Sequence, residues 1–212
     1  MALDLDEQEQ VAELKAWWNQ YGTLLVFALV AAAVAIGGWQ GWRWYQQVQA
    51  QEASVVYDTL ARAAQSGDAK ALRDSAGALI EKYPRSLYAS MGAMVAARFH
   101  FDRNDLKNAK AQLGWVVENS RSEDFRDLAR LRLAAVLLDE KAHDEALKLL
   151  DAAHAAAFDA QYAALRGDIL VAKGQLAEAR VAYRSALESA DKERGNAAFR
   201  ESLQVRLEAL GG

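Results

Sequence analysis

Cysteine is absent from this chain. That excludes a disulfide scaffold, a thiol nucleophile and any thiolate metal site. Proline occurs once, at Pro84, so long segments run free of helix breakers. Alternating β-branched runs between turns, the signature of strands, are missing. So are a glycine-rich phosphate loop, a nucleophile elbow and an HExxH pair. The three histidines, His100, His143 and His154, are not spaced as metal ligands on one helix face and read as core or turn residues. Acid pairs such as Glu123-Asp124 and Asp144-Glu145 read as helix starts, where acids complement the helix dipole. A basic footprint is also lacking: beyond Arg43 there are 23 basic residues against 24 acidic ones. Nucleic-acid binding needs such a footprint. These absences leave no catalytic, cofactor-binding or metal-ligating residue to nominate. They point to a non-enzymatic all-α protein with no small-molecule substrate. The abundance of alanine, leucine, glutamate and arginine favours helix throughout.

What the chain does have is one long stretch without charge, residues 16–42, bounded by Lys15 and Arg43. Its apolar centre, Thr23 to Trp39, makes roughly 25 Å of helix, near the lower limit for a hydrocarbon core of about 30 Å. Trp17, Trp18 and Tyr21 flank one end, and Trp39, Trp42, Trp44 and Tyr45 the other. Such rings favour the lipid headgroup level, so the pattern predicts a single span with membrane-interface belts at both ends. A cleaved signal peptide would need a basic start; here five acids precede one lysine. The expected organisation is an acidic tail over 1–22, a transmembrane helix over 23–45 and a helical domain over 46–212. Lys15 and Arg43 balance one another, so the positive-inside rule leaves the orientation open.

The helical domain repeats itself. In Gly167 to Leu187, a small residue opens the first helix, Gly174 turns the chain, and Ala179, Tyr183 and Ala186 line one face of the second. Upstream counterparts are Leu133, Ala134, Leu137 with Ala146, Leu150, Ala153; then Ala96, Ala97, His100 with Ala109, Leu113, Val116; then Thr59, Leu60, Ala63 with Leu72, Ala76, Leu79. Leu72, Ala109, Ala146 and Ala179 follow one another at 37, 37 and 33 residues. This predicts a tetratricopeptide-repeat-like α-solenoid of about four helical pairs, capped by a helix over Asn196–Leu210. An irregular helical bundle is the alternative. The glutamine-rich stretch after Tyr45 holds no breaker, so the span is expected to run on into the first repeat helix. First helices of such pairs line a concave face. The register places Tyr57, Ala61, Met91, Met94, Arg98, Phe101, Leu128, Leu131 and Leu138 there, as candidate partner-binding residues. The plainer alternative is that these side chains pack within the array.

The order of parts, VAELKAWWNQYG, an apolar span ending in WRWY (Trp42 to Tyr45) and LRGDILVAKGQLAEARVAY (Leu165 to Tyr183), resembles the YfgM family. That resemblance covers nearly the whole chain. It implies an ancillary subunit of the SecYEG translocon in the cell inner membrane, in contact with membrane lipid. It implies a cytoplasmic N-terminus and a periplasmic repeat domain. It further implies association with the periplasmic chaperone PpiD and with newly translocated client proteins. A membrane-anchored scaffold for another envelope assembly machine remains the alternative.

Overall fold

Among the described residues, four of the turns between helices reverse the chain with one residue in the left-handed region. These are Gly67 (φ 77°), Asn104 (φ 59°), Lys141 (φ 63°) and Gly174 (φ 77°). Each is followed by the same long backbone bond back across the helix end: Asp68 N–H to Ala63 O, Asp105 to His100, Ala142 to Leu137 and Gln175 to Leu170, at 2.9–3.0 Å. This is the Schellman arrangement, which satisfies carbonyls that the helix end leaves without a partner. The four turns recur at the 37-, 37- and 33-residue spacing of the side-chain pattern.

The computed structural model describes residues 5–192 and 197–211. The described residues are helical and contain no strand. The helices are α1 (Leu5–Ser66), α2 (Ala69–Lys82), α3 (Leu87–Phe101), α4 (Leu106–Asn119), α5 (Glu123–Asp139), α6 (His143–Leu150), α7 (Asp159–Ala172), α8 (Leu176–Lys192) and α9 (Ala197–Ala209). Asn196, the expected start of the cap, lies outside the described residues. Two compact units divide at Gln49 and Ala50, within α1.

In the first unit, α1 supplies the one helix among the described residues that is long and apolar enough to cross a membrane. Its apolar side chains, including Leu24, Phe27 and Val34, are exposed. The helix has no break at residues 22–23 or 45–46.

The second unit is a chain of four small cores. Ala53, Leu60 and Ala63 of α1 pack with Leu72, Ala76 and Leu79 of α2 and with Ala96 and Phe99 of α3. Met94 and Ala97 pack with Leu113, Val116 and Val136. Ala134 and Leu137 pack with Ala146, Leu150, Tyr162 and Ile169. Ala160 and Ala164 pack with Tyr183, Ala186, Ala190 and Leu203 of α9. Each core draws on a helical pair and the next helix, so each pair buries its second face only by stacking. Most residues of the repeat pattern are buried. Thr59 is exposed and bonds through Oγ1 to Val55 O.

Side chains then lock the turns. Asp68 accepts from the N–H groups of Lys70 and Ala71, and Asp105 from Asn108, each as an N-cap. Asp105 also accepts from the Asn108 side chain at 2.7 Å and meets Nδ1 of the buried His100 at 2.9 Å. The Asn108 bond is the main cause holding its carboxyl below the ordinary range. Gly167 lets α7 and α8 approach: a Cβ there would lie 2.4 Å from the Tyr183 ring. The Tyr183 hydroxyl donates to Asp168, which also pairs with Arg206 of α9 at 2.8 Å, tying the cap to the last pair.

The third pair departs from the pattern. α6 has eight residues and ends at Leu150, so Ala153, expected on its inner face, is exposed in the connection to α7. That connection is held by Asp127 of α5, buried at 3% exposure. Asp127 pairs with Arg130 at 2.6 Å and accepts from Ala155 N–H at 2.9 Å, while its carbonyl accepts from the buried Tyr162 hydroxyl at 3.0 Å. His154 stacks on Tyr162 with ring centroids 3.8 Å apart.

Two of the turns place a β-carbon in the left-handed region. Lys141 is exposed there and contributes only its backbone. Lys141→Gly is expected to raise stability by about 0.5–1 kcal/mol, because the relief of left-handed strain outweighs the entropy glycine adds to the unfolded chain. A higher urea midpoint at unchanged slope is the measurement; an unchanged or lower midpoint contradicts it.

Candidate functional site

Several apolar residues at the edges of the first two cores also open to one face. On α1, α3 and α5 they converge on one open groove of about 550 Å³. Tyr57 stands on α1, where its ring lies 5.7 Å from that of Tyr88. Met91, Met94 and Val95 come from α3, and Phe125 and Leu128 from α5. Methionine has unbranched, polarisable side chains that adapt to varied surfaces, and a groove of this composition suits a peptide segment.

Charge in the groove is of one dominant sign. Arg98, Arg103 and Arg132 line it against a single carboxylate, Asp102. Arg98 is committed to Asp102 at 2.7 Å. The guanidinium of Arg103 lies 3.5 Å from the centroid of the Phe99 ring. Arg132 has no hydrogen bond or ion pair among the described residues; it is exposed to solvent, and the groove wall around its base and the neighbouring charge of Arg98 lower its pKa. A smaller hollow of about 190 Å³ adjoins the groove, sharing Arg98 and Arg132 and lined further by Ala97, Phe101, Leu113, Ala135 and Val136.

Of the residues expected on this face, Tyr57, Met91, Met94, Arg98 and Leu128 come together in the groove. Phe101 lines the smaller hollow. Ala61 lines neither. Leu131 and Leu138 pack instead against the core of α5, α6 and α7. Val95, Phe99, Arg103, Phe125 and Arg132 were not anticipated; for Phe125 and Arg132 the signal is their spacing of three and four residues from Leu128. A separate hollow of about 660 Å³, between the end of α6, α7 and α8, was not anticipated either. Its wall includes His154, Tyr162, Arg166 and the exposed Val181.

On the other unit, Trp17, Trp18, Tyr21, Trp39, Trp42, Trp44 and Tyr45 are all exposed along α1. Trp17 lies 5.9 Å from Tyr21, and Trp42 lies 6.2 Å from Tyr45, ring centre to ring centre. Arg43 sits 4.9 Å above the Trp39 ring. A cation over an aromatic face so placed suits a water–lipid boundary.

A family model described as a tetratricopeptide repeat-like domain matches residues 15–212. The ancillary SecYEG translocon subunit of Neisseria gonorrhoeae is 32% identical over 217 residues, which cover 99% of this chain and 100% of that one. This chain belongs to the YfgM family. Similar proteins include the ancillary SecYEG translocon subunits of Haemophilus influenzae, 29% identical over 89% of this chain and 92% of that one, and of Escherichia coli, 28% identical over 87% and 88%. No solved structure matches. The YfgM-family match takes in both the apolar part of α1 and the repeats that carry the groove.

Proposed function

We propose that this YfgM-family protein is a non-catalytic ancillary subunit of the SecYEG translocon. Residues 23–45 anchor it once in the inner membrane, after an acidic tail over 1–22 on the cytoplasmic side. The repeat domain, 46–212, works in the periplasm, where it docks the chaperone PpiD and assists newly translocated proteins. The observation that carries this reading is full-length similarity to proteins named for that role, in a chain joining one membrane-length apolar helix to repeats with an open groove. The span confines the repeats to the membrane surface and raises their local concentration near membrane partners. The groove of α1, α3 and α5 supplies the contact.

The contact and the orientation are tested together. Leu128→Glu and Met91→Glu should each lower co-purification of PpiD and SecYEG from mild detergent by about tenfold, since each buries an unpaired charge in the contact. Far-UV circular dichroism should stay at the wild-type spectrum, while Leu128→Glu, whose side chain also packs on the second core, should melt somewhat lower than Met91→Glu. An alkaline-phosphatase fusion at the C-terminus should be active. Undiminished recovery with both variants would remove the groove from the mechanism, and an inactive but stable fusion would reverse the topology.

A further inference from the structure

The groove and the hollow beside it meet at two side chains, Arg98 and Arg132. Apolar wall lies on both sides of that meeting point. Met94 and Leu128 stand on one side, and Phe101, Leu113 and Val136 on the other. An occupant following the apolar surface therefore passes the arginines rather than stopping at them.

The two arginines are not equivalent. Arg98 already holds Asp102 through Nε at 2.7 Å. Arg132, exposed where the two hollows meet, holds nothing among the described residues, and the neighbouring charge of Arg98 opposes its own. Elsewhere on α5, Arg126 and Arg130 have carboxylates, Glu123 at 3.3 Å and Asp127 at 2.6 Å. An unpaired guanidinium beside a like charge gains from an arriving carboxylate. It offers two parallel N–H groups for it.

From these observations we infer that Arg132 is the specificity-determining residue of the groove, and that the groove takes an extended partner segment in which an aspartate or glutamate is flanked on both sides by apolar residues. This rests on the docking role proposed above and names its chemistry. The acidic side chain pairs with Arg132, while the flanking residues fill the methionine-lined groove and the hollow at Phe101. A segment ending in its own terminal carboxylate would leave one of the two hollows empty.

The experiment is selection of a displayed library of random dodecapeptides, fused so that none has a free terminal carboxylate, on the full chain in lipid nanodiscs. Selected peptides should carry Asp or Glu between apolar residues. Their affinity should fall about three- to fivefold in Arg132→Gln, the loss expected when one partner of a well-aligned charge pair at an exposed groove edge is removed. Arg132→Lys should retain part of it, and replacing the peptide's acid by its amide should remove the difference between wild type and Arg132→Gln. Peptides that lack acid enrichment, or that lose binding in Leu128→Glu but not in Arg132→Gln, overturn the role of Arg132 and leave the groove as a docking site. Tighter binding of synthetic versions whose only carboxylate is the free C-terminus overturns the through-passing segment. A selection whose peptides bind Leu128→Glu as well as wild type overturns the groove and this inference with it.

Discussion

A chain lacking residues 1–45 will lose nearly all of its association with the translocon while keeping its fold. The first repeat core begins at Ala53 and draws on Leu60 and Ala63, all beyond the deletion. The turn at Gly67 and every later core are untouched. What disappears is confinement. Tethering two modules raises apparent affinity by about 10²–10⁴-fold without any new contact. Recovery of SecYEG with the shortened chain should therefore drop by about a hundredfold at equal expression. Quantitative mass spectrometry of detergent-extracted complexes gives the comparison, with melting temperature reporting the fold. Equal recovery from the shortened and full chains would reject tethering as the role of the apolar helix.

The largest loss of stability from a single side chain is expected at Asp127. This carboxylate holds Arg130 at 2.6 Å and the backbone of Ala155 at 2.9 Å, with its own side chain almost wholly buried. Asp127→Ala leaves a partly buried guanidinium without its anion and an N–H group without its acceptor. Breaking one partner of a buried pair costs about 3–5 kcal/mol, and the low end applies because Arg130 retains 19% exposure. Asp127→Asn keeps an acceptor for Ala155 and should cost less, about 1–2 kcal/mol. Urea unfolding by circular dichroism measures both. Local loosening should concentrate at residues 151–158, so hydrogen exchange there should rise first. A difference below about 0.5 kcal/mol for Asp127→Ala would make this network incidental.

Why Asp127 escaped notice in the sequence is instructive. It looks like an ordinary acid in the first turns of a helix. Its role depends on Ala155, 28 positions later, and local periodicity carries no trace of such a pairing. The same network accounts for Ala153. The interval of 33 residues before Ala179 looks like a plain repeat, whereas α6 stops early and the connection is pinned to α5. The other repeat positions were legible because small or branched apolar residues recur wherever helices meet at short range. The turns themselves were half legible. Gly67 and Gly174 fit the left-handed position, but Asn104 and Lys141 occupy it too, so the period is carried more faithfully by the backbone than by residue type.

The groove was legible to the same degree. Met91, Met94, Arg98 and Leu128 were placed from register alone. On α5 each residue advances about 100° around the axis. Phe125 and Arg132 then lie within about 60° of Leu128 on one side, while Leu131 and Leu138 lie about 60–80° away on the other. An apolar stripe that wide serves two faces, one open and one packed on α6 and α7. Hydrophobicity alone does not divide them; the charge of Arg132 does.

One helix, α1, carries both the uncharged stretch and the residues Ala53, Tyr57, Leu60 and Ala63. A protease cutting beyond Ala53 would release a fragment missing part of its first core, and beyond Tyr57 also the aromatic wall of its groove. Trimming that helix leaves core and groove intact only where the cut falls between residue 45 and Ala53. A cut further on removes the binding surface along with the anchor, which makes it an off switch rather than a means of shedding an active domain.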